Sequence, residues 1–249
     1  MLVLLPGLDG SGLLFSPLLE QLEPNIATQI ITYPPRDNLR YADLIELVRR
    51  QLPSSTPFVL LGESFSGPIA VAIAANAPTN LRGVILCASF VSNPHPRMRM
   101  LKRILRYLPF KKIPIGVIEK FGFGNYSNRD LRALLTLALS ELSHETMVAR
   151  LQEIIEIDVS RDLEEIKLPL LYIQAKQDRL VPSSALKRIK KIQPEIEVAQ
   201  IEGPHFLLQT RPELVTEKLI AFFNDLKTKS ATDSFTSEYF PKPIVDLGR

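Results

Sequence analysis

Short apolar runs alternate along the chain with longer segments in which apolar residues recur every three or four positions. The short runs predict strands at residues 2–6, 27–34, 58–62, 82–89, 168–175 and 195–202. The longer segments predict helices at residues 13–22, 41–52, 65–77, 184–192 and 212–227. Several strand runs are apolar throughout rather than alternating, which is typical of a parallel sheet with helices on both faces. The pattern therefore predicts an α/β fold.

The stretch between residues 90 and 167 interrupts this alternation with a mainly helical pattern. It is too long for one crossover helix. We therefore interpret residues 91–166 as a helical cap inserted into a core formed by residues 1–90 and 167–227. Residues 228–249 are polar, lose the helical periodicity and contain two prolines, so we expect a loose C-terminal tail.

The composition, with 45% hydrophobic and 23% charged residues, is that of an ordinary globular protein. The single cysteine, Cys87, allows neither an internal disulfide nor a zinc cluster of thiolates, and this usage fits a reducing, cytoplasmic setting. Cys87 falls in a predicted strand, where a free thiol acts as a small hydrophobic group. The apolar N-terminal run is short and has no basic region before it, so we expect neither a signal sequence nor a membrane span there.

Positive charge is concentrated in one segment of the predicted cap. Residues 91–118 hold seven basic residues and no acidic one, although the net charge of the chain is only +3. Within "MRMLKRILRYL" (98–108), helical spacing predicts an apolar stripe beside a basic stripe. The apolar stripe consists of Leu101, Ile104, Leu105 and Leu108. The basic stripe consists of Arg99, Lys102, Arg103 and Arg106.

Two interpretations of this basic stripe remain open. It is either the solvated face of a core-packed helix or a binding face for an anionic partner. Such a partner would be an acidic acyl carrier protein, a phosphopantetheine or coenzyme A group, or an anionic membrane surface. Nucleic acid is not expected, because the chain has no recognisable nucleic-acid module and the remainder of the sequence is net acidic.

The stretch "GESFSG" (62–67) joins a predicted strand directly to an alanine-rich predicted helix. Ligands of α/β sheets bind at the carboxyl ends of the strands, which is where Ser64 falls. Gly62 and Ser66 are small enough to allow a tight turn, as in the strand–nucleophile–helix elbow. The motif alone leaves two interpretations, because a serine in this position is either a nucleophile or a helix cap.

A serine nucleophile needs a base that removes its proton, and the base needs a third group to orient it. Of the three histidines, His95 lies in a proline-flanked loop and His144 in a charged helical stretch. His205 follows the last predicted strand at the sharp turn formed by Gly203 and Pro204. We therefore expect His205 to be the base.

The orienting acid should also leave the carboxyl end of a strand. Asp178 does so, just past the run 168–175, whereas its rivals Asp158 and Asp162 precede that strand. For the oxyanion hole we expect two backbone N–H donors, from Phe65 after the nucleophile and from Leu8 in the glycine-rich loop "PGLDGSG". The alternative for this loop is a plain turn with an Asp-Gly signal.

Four motifs together resemble the α/β-hydrolase superfamily over nearly the whole chain: "LLPGLDGSG", "GESFSG", "QDRLVP" and "GPHF". Within it, the chain is similar to small capped serine carboxylesterases of the pimeloyl-acyl-carrier-protein methyl ester esterase type. The first two motifs also resemble phytyl ester synthase-like acyltransferases. The resemblance implies a reaction that needs no metal and no cofactor. It implies that Ser64 is the nucleophile, Asp178 the acid and His205 the base. The implied oxyanion donors are Leu8 and Phe65.

This chain departs from the pattern of the superfamily at three places. Pro6-Gly7 replaces the frequent His-Gly before the oxyanion donor, and Ser66 replaces the last glycine of the elbow motif. The first strand corresponds to the third strand of the full fold, so we expect the N-terminal edge hairpin to be absent. None of these departures removes a member of the implied triad.

The functional expectation is a serine hydrolase that cleaves a carboxylic ester or thioester with an apolar acyl group through an acyl-enzyme. Two alternatives remain: an acyltransferase that passes the acyl group to an alcohol, and a non-catalytic binding protein with a hydrolase-like fold. Apolar cap residues line the acyl pocket or form only the core of the cap; these are Phe121, Phe123, Tyr126 and the leucines of residues 131–142.

Overall fold

The computed structural model describes residues 1–22, 26–76 and 78–239. Its centre is one six-stranded sheet in the order β2-β1-β3-β4-β5-β6, in which every neighbouring pair is parallel. The strands are β1 (Leu2–Leu5), β2 (Thr28–Ile30), β3 (Phe58–Glu63), β4 (Leu81–Cys87), β5 (Leu170–Ala175) and β6 (Glu197–Ile201). The predicted α/β class with a parallel sheet is confirmed.

The helices that surround the sheet follow the predicted alternation. They are α1 (Ser16–Leu22), α2 (Tyr41–Gln51), α3 (Gly67–Ala75), α4 (Ile115–Gly122), α5 (Arg129–Ser140), α6 (His144–Glu156), α7 (Ser160–Glu165), α8 (Ser183–Ile192), α9 (Leu207–Thr210) and α10 (Pro212–Tyr239). Helices α2, α3, α7 and α8 pack on one face of the sheet, and α1, α9 and α10 pack on the other.

Burial on both faces explains why the strand sequences are apolar throughout. Successive strand residues point to opposite faces, and in β1 Val3 and Leu5 enter one core cluster while Leu2 and Leu4 enter the other. Because both faces are covered, no position of β1 is left for a polar side chain.

The segment between β4 and β5 leaves the core and returns to it through a narrow neck. The Asn93 N–H donates to the Ile157 carbonyl at 3.1 Å, and the Val159 N–H donates to the Val91 carbonyl at 2.8 Å. Helix α7 lies beyond this neck and packs in the core, where Leu163 is fully buried. The part of the predicted cap that leaves the core therefore ends at the neck and does not include α7.

The predicted amphipathic helix at 98–108 is wrong. This region forms 3-10 segments at Pro96–Leu101, Leu105–Tyr107 and Phe110–Lys112. Such segments repeat every three residues rather than every 3.6, so the predicted stripes do not form. Leu105 is buried, whereas Ile104 and Leu108 are exposed.

The expectation of a loose tail from residue 228 is also wrong for its first part. Helix α10 continues through Tyr239. The sequence between Glu213 and Tyr239 contains neither glycine nor proline, so no residue there disrupts helical hydrogen bonding. The rest of that predicted tail, residues 240–249, lies outside the described residues.

Very close packing joins the end of β3 to α3. A Cβ atom on Gly62 would lie 2.6 Å from the Ser66 carbonyl oxygen and 3.0 Å from the Ala70 Cβ. One on Gly67 would lie 1.8 Å from Ser89 Oγ. The chain can therefore turn from strand to helix in a few residues only because these two positions have no side chain.

We expect Gly62→Ala to lower the free energy of unfolding by ~1–3 kcal/mol, because the turn must shift to admit the methyl group. Gly116→Ala is the matched control, since a Cβ there would have nothing within 4 Å and alanine is favoured over glycine inside a helix by about 1 kcal/mol. Urea unfolding of both variants measures the difference. Equal stability of the Gly62→Ala variant and the parent would show that the close approach is not a constraint.

Candidate active site

Ser64 lies in a strained turn at the carboxyl end of β3. Its φ is 48°, in the left-handed region that residues other than glycine seldom adopt. The Ser89 hydroxyl donates to the Ser64 carbonyl at 2.5 Å. The buried Ser66 hydroxyl lies 2.6 Å from the Tyr33 hydroxyl and donates to the Pro6 carbonyl. Hydrogen bonds from several elements therefore hold the turn in its conformation.

His205 reaches this serine from the loop between β6 and α9. Its Nε2 lies 2.9 Å from Ser64 Oγ, and the side chain is only 4% exposed. The next residue, Phe206, donates its N–H to the Gly122 carbonyl at 2.9 Å, and its ring packs on Phe123 with centroids 5.0 Å apart. The cap segment thus contacts the chain directly beside the histidine.

Asp178 orients the other side of the imidazole. Its Oδ2 lies 2.8 Å from His205 Nδ1. Its Oδ1 accepts hydrogen bonds from the N–H groups of Leu180 and Val181, each at 2.8 Å. With one oxygen bound by the backbone, the other is directed at the histidine.

The rival residues lie elsewhere. His95 Nε2 bonds to the Leu180 carbonyl at 2.7 Å, and His144 Nε2 lies 3.4 Å from the Arg106 carbonyl. Asp158 pairs with Arg188 at 2.9 Å, and Asp162 lies on α7. The structure therefore brings Ser64, His205 and Asp178 into one hydrogen-bonded line and leaves the rivals outside it.

The loop that follows β1 contains a tight turn. The Gly10 N–H donates to the Gly7 carbonyl at 3.1 Å. The Gly7 C=O and the Leu8 N–H belong to the same peptide group, and in a trans peptide these two groups point in opposite directions. Because the Gly7 carbonyl points into the turn, the Leu8 N–H points away from it. Phe65 is fully buried, and its carbonyl accepts a hydrogen bond from the Tyr41 hydroxyl at 2.8 Å.

Sequence reasoning missed Arg150, a buried arginine on cap helix α6. It is 1% exposed, and its guanidinium donates to the carbonyls of Leu8 at 2.7 Å, Asp9 at 2.9 Å and Pro34 at 2.9 Å. A Cβ on Gly10 would lie 2.5 Å from Arg150 Nη1. The cap thus holds the glycine-rich loop through its backbone. An arginine in a charged helical sequence has no local signal of this contact.

Sequence reasoning also missed Glu63, the residue before the serine. It is 4% exposed, accepts a hydrogen bond from Gln209 Nε2 at 3.0 Å and another from the Gly7 N–H. Burial raises the pKa of this carboxyl to about 7, with Asp9 acting in the same direction. The Gln209 and Gly7 hydrogen bonds and the neighbouring His205 partly oppose that rise. The residue directly before Ser64 therefore carries a buried carboxyl group with a pKa of about 7.

The predicted anion-binding residues lie away from Ser64, His205 and Asp178: Arg99 and Arg106 are on two of the 3-10 segments, and Lys102 and Arg103 are in the turn between these segments. Arg99, Arg103 and Arg106 are exposed, and Lys102 pairs with Glu156. Of the predicted pocket residues, Phe121 is exposed and Phe123 is fully buried. The ring of Tyr126 lies 4.2 Å from the Arg211 guanidinium.

The thiol, the possible metal ligands and the helix lengths of the described residues bear on other kinds of function. Cys87 is a buried free thiol whose pKa is raised well above its usual value by burial. Within residues 1–22, 26–76 and 78–239, no three His, Cys, Asp or Glu side chains are grouped in a way that could bind a metal ion. Among the same residues, no helix has the length and apolar character needed to cross a membrane.

The parallel sheet, the strained serine turn and the aligned histidine and aspartate define an α/β-hydrolase. A family profile described as "Serine aminopeptidase, S33" matches residues 36–203, and the chain belongs to this family. Because the match covers most of the chain, the superfamily predicted from the four motifs is confirmed.

Several known proteins are similar to this chain. It is 25% identical over 245 residues to the biotin biosynthesis bifunctional protein BioHC of Cellvibrio japonicus, a match that covers 92% of this chain but only 48% of that protein. It is 27% identical over 219 residues to a pimeloyl-[acyl-carrier protein] methyl ester esterase of Xanthomonas oryzae, covering 81% of this chain and 86% of the esterase.

Among solved structures, a lipase-esterase related protein from Clostridium acetobutylicum aligns with a TM-score of 0.74 at 19% identity. The alignment covers 89% of this chain and 93% of that protein. At this identity the comparison establishes a shared fold.

Arg150→Met should lower the free energy of unfolding by ~1–3 kcal/mol, because it leaves buried carbonyl groups without donors. Arg150→Lys should fall between Arg150→Met and the parent, since an ammonium group offers donors but cannot reproduce the planar guanidinium contacts. Arg132→Met is the control, because Arg132 is 55% exposed on α5 and should change stability by less than ~0.5 kcal/mol. Urea unfolding compares them; an Arg150→Met variant as stable as the parent would contradict a holding role.

Glu63→Gln should change how stability depends on pH. Burial raises the pKa of Glu63 from 4.5 to about 7, so between these values the folded state holds a proton that the unfolded chain has lost. The free energy of unfolding therefore falls as pH rises through this interval, in total by about 3 kcal/mol. We expect the Glu63→Gln variant to lose this decline and to be more stable than the parent at about pH 8.

The measurement is urea unfolding at several values between about pH 5 and pH 8. Glu20→Gln removes an exposed carboxyl on α1 and should retain the pH profile of the parent. If the Glu63→Gln profile also follows that of the parent, the buried carboxyl does not titrate in this range.

Proposed function

We propose that this protein is a serine hydrolase that cleaves carboxylic esters or thioesters with an apolar acyl group. The observation that carries this proposal is the hydrogen-bonded line from Ser64 Oγ through His205 to Asp178, with distances of 2.9 and 2.8 Å. This line lies at the carboxyl ends of parallel strands, and Ser64 is partly exposed in its left-handed turn. The name of the similar methyl ester esterase favours an ester as the substrate class.

In the first half of the reaction, Ser64 Oγ attacks the carbonyl carbon of the substrate while its proton passes to His205 Nε2. Asp178 keeps the proton of the imidazole on Nδ1, so that Nε2 is free to accept, and then stabilises the imidazolium. His205 gives the proton to the departing alkoxide or thiolate, which leaves the acyl group on Ser64.

In the second half, His205 takes a proton from water, and the resulting hydroxide equivalent attacks the acyl carbon. The tetrahedral intermediate collapses, and the proton returns to Ser64 Oγ as the acid leaves. An alcohol in place of water would yield a new ester from the same acyl-enzyme, so the acyltransferase alternative differs only in the acceptor.

The negative charge that develops on the carbonyl oxygen needs donors that are already in place. We assign this role to the N–H groups of Leu8 and Phe65. Leu8 is supported by the direction of its peptide, and Arg150 and Glu63 hold the residues on either side of it. Phe65 is supported by its place at the start of the helical turn.

We also propose that the segment between the neck residues forms a cap that shields this chemistry from water. Its apolar cluster includes Phe123, Leu131 and Leu135, and Phe206 beside the catalytic histidine packs against this cluster. An apolar acyl group suits such surroundings better than a charged one.

We expect Ser64→Ala to lower kcat for p-nitrophenyl esters by ~10⁴-fold or more, because no other group supplies the nucleophile. A series of esters from acetate to palmitate reports the acyl length that fits beneath the cap. The control is Ser55→Ala, which changes an exposed serine in a loop and should leave kcat unchanged. A fluorophosphonate probe should add to Ser64 in the parent and the control.

Each contrary outcome has a separate meaning. A Ser64→Ala variant as active as the parent would assign Ser64 to helix capping. A parent that neither hydrolyses these esters nor reacts with the probe would be the non-catalytic binding protein. Preferential ester formation when alcohol is added would make the protein an acyltransferase, and cleavage of aminoacyl p-nitroanilides without esters would make it a peptidase.

A further inference from the structure

Exposed apolar side chains are concentrated in one short stretch of the cap. Of the eleven large hydrophobic residues that are exposed in the described part of the chain, seven lie between residues 100 and 121. Met100 is 87% exposed and Tyr107 is 71% exposed. The others are Ile104, Leu108, Ile113, Val117 and Phe121. Clustered apolar exposure of this kind marks an interaction surface.

The same stretch is strongly cationic. Residues 97–121 contain eight basic residues and one acidic residue, Glu119. Two of the eight basic side chains have acidic neighbours, since Lys102 pairs with Glu156 and Arg99 lies close enough to Asp158 to lower the pKa of that carboxyl. The other six are exposed: Arg97, Arg103, Arg106, Lys111, Lys112 and Lys120. The apolar side chains are therefore interleaved with an excess of positive charge.

This surface belongs to a packed segment. Leu105 is buried with Val148 and Ile155 of α6, and Met98 and Phe110 pack against the same cluster. Because the inward positions are already filled by these residues, the exposed apolar side chains have no further place in the core. We define residues 97–121 as the cationic-apolar surface.

Three partners fit this surface to different extents. Simple exposure to water accounts for the charged side chains but not for the exposed apolar ones. An acidic carrier protein would match the charge without requiring side chains as exposed as Met100 and Tyr107. A bilayer with anionic lipids matches both, because lysine and arginine attract the headgroups while apolar and aromatic side chains insert at the interface.

We propose that the cationic-apolar surface docks the protein onto an anionic lipid bilayer. The consequence of docking for catalysis, described next, rests on the proposed function. Helix α4 carries Val117 and Phe121 on this surface, and the carbonyl of its last residue, Gly122, bonds to Phe206 beside His205. Docking therefore places the cap, and the route to the serine, against the layer in which apolar esters partition.

The test is sedimentation of the full chain with phosphatidylglycerol vesicles and with phosphatidylcholine vesicles. We expect binding to the first and little to the second. A triple variant, Arg103→Glu with Arg106→Glu and Lys111→Glu, should lower the partition coefficient at least ~100-fold, because each basic residue near the surface contributes roughly fivefold. The matched control reverses three exposed charges on α8, Lys187→Glu with Lys190→Glu and Lys191→Glu, and should bind nearly as the parent does.

A second variant tests insertion rather than charge alone. Met100→Ser with Tyr107→Ser should lose most of the binding that persists at high salt, where electrostatic attraction is screened. All variants change exposed side chains. Their thermal midpoints and their rates of hydrolysis of short soluble esters should therefore equal those of the parent. Loss of vesicle binding with intact esterase activity thus separates this proposal from the proposed function.

The proposal is overturned by absence of binding to phosphatidylglycerol vesicles, by equal binding to both lipids, or by a charge-reversed triple variant that binds as the parent does. Binding to a purified acidic acyl carrier protein without binding to vesicles would also overturn it and would assign the surface to a protein partner.

Discussion

The site depends on one constraint, which is that a non-glycine residue must hold a left-handed backbone at the end of β3. Ser64 has that conformation, and it persists only because the surrounding structure over-determines it. Gly62 and Gly67 allow close approach, while Ser66 and Ser89 bond the turn to neighbouring backbone. The glycine that usually ends the elbow motif is a serine here, and its hydroxyl joins the turn at Ser64 to the loop after β1.

That loop is held from two further directions. Arg150 binds its carbonyl groups from the cap, and Glu63 accepts the Gly7 N–H from the sheet. The buried Gln209 side chain in turn donates its Nε2–H to Glu63 at 3.0 Å. The position of the cap and the protonation state of one carboxyl are thus both linked to the backbone next to the serine.

The sheet and the serine, histidine and aspartate were predictable from sequence because their signals are local. Strands buried on both faces are apolar throughout, and in a parallel sheet the residues after each strand meet at one edge. Ser64 directly follows β3, Asp178 lies three residues after the end of β5, and His205 lies four residues after the end of β6. The order of the elements was therefore enough to predict that these side chains meet. The helical pattern of the cap was equally local, although its periodicity between residues 98 and 108 did not reveal 3-10 geometry.

Local sequence patterns were enough to predict the parallel sheet, the inserted segment and the three residues aligned at the strand ends, because periodicity and turn residues encode each of them over a few positions. The folded structure was needed to show that Arg150 is buried, that burial raises the pKa of Glu63 to about 7, that α7 belongs to the core and that α10 extends to Tyr239. Burial and long-range hydrogen bonds depend on residues far apart in the chain, such as Arg150 and Leu8, and no local pattern records which distant groups will surround a side chain.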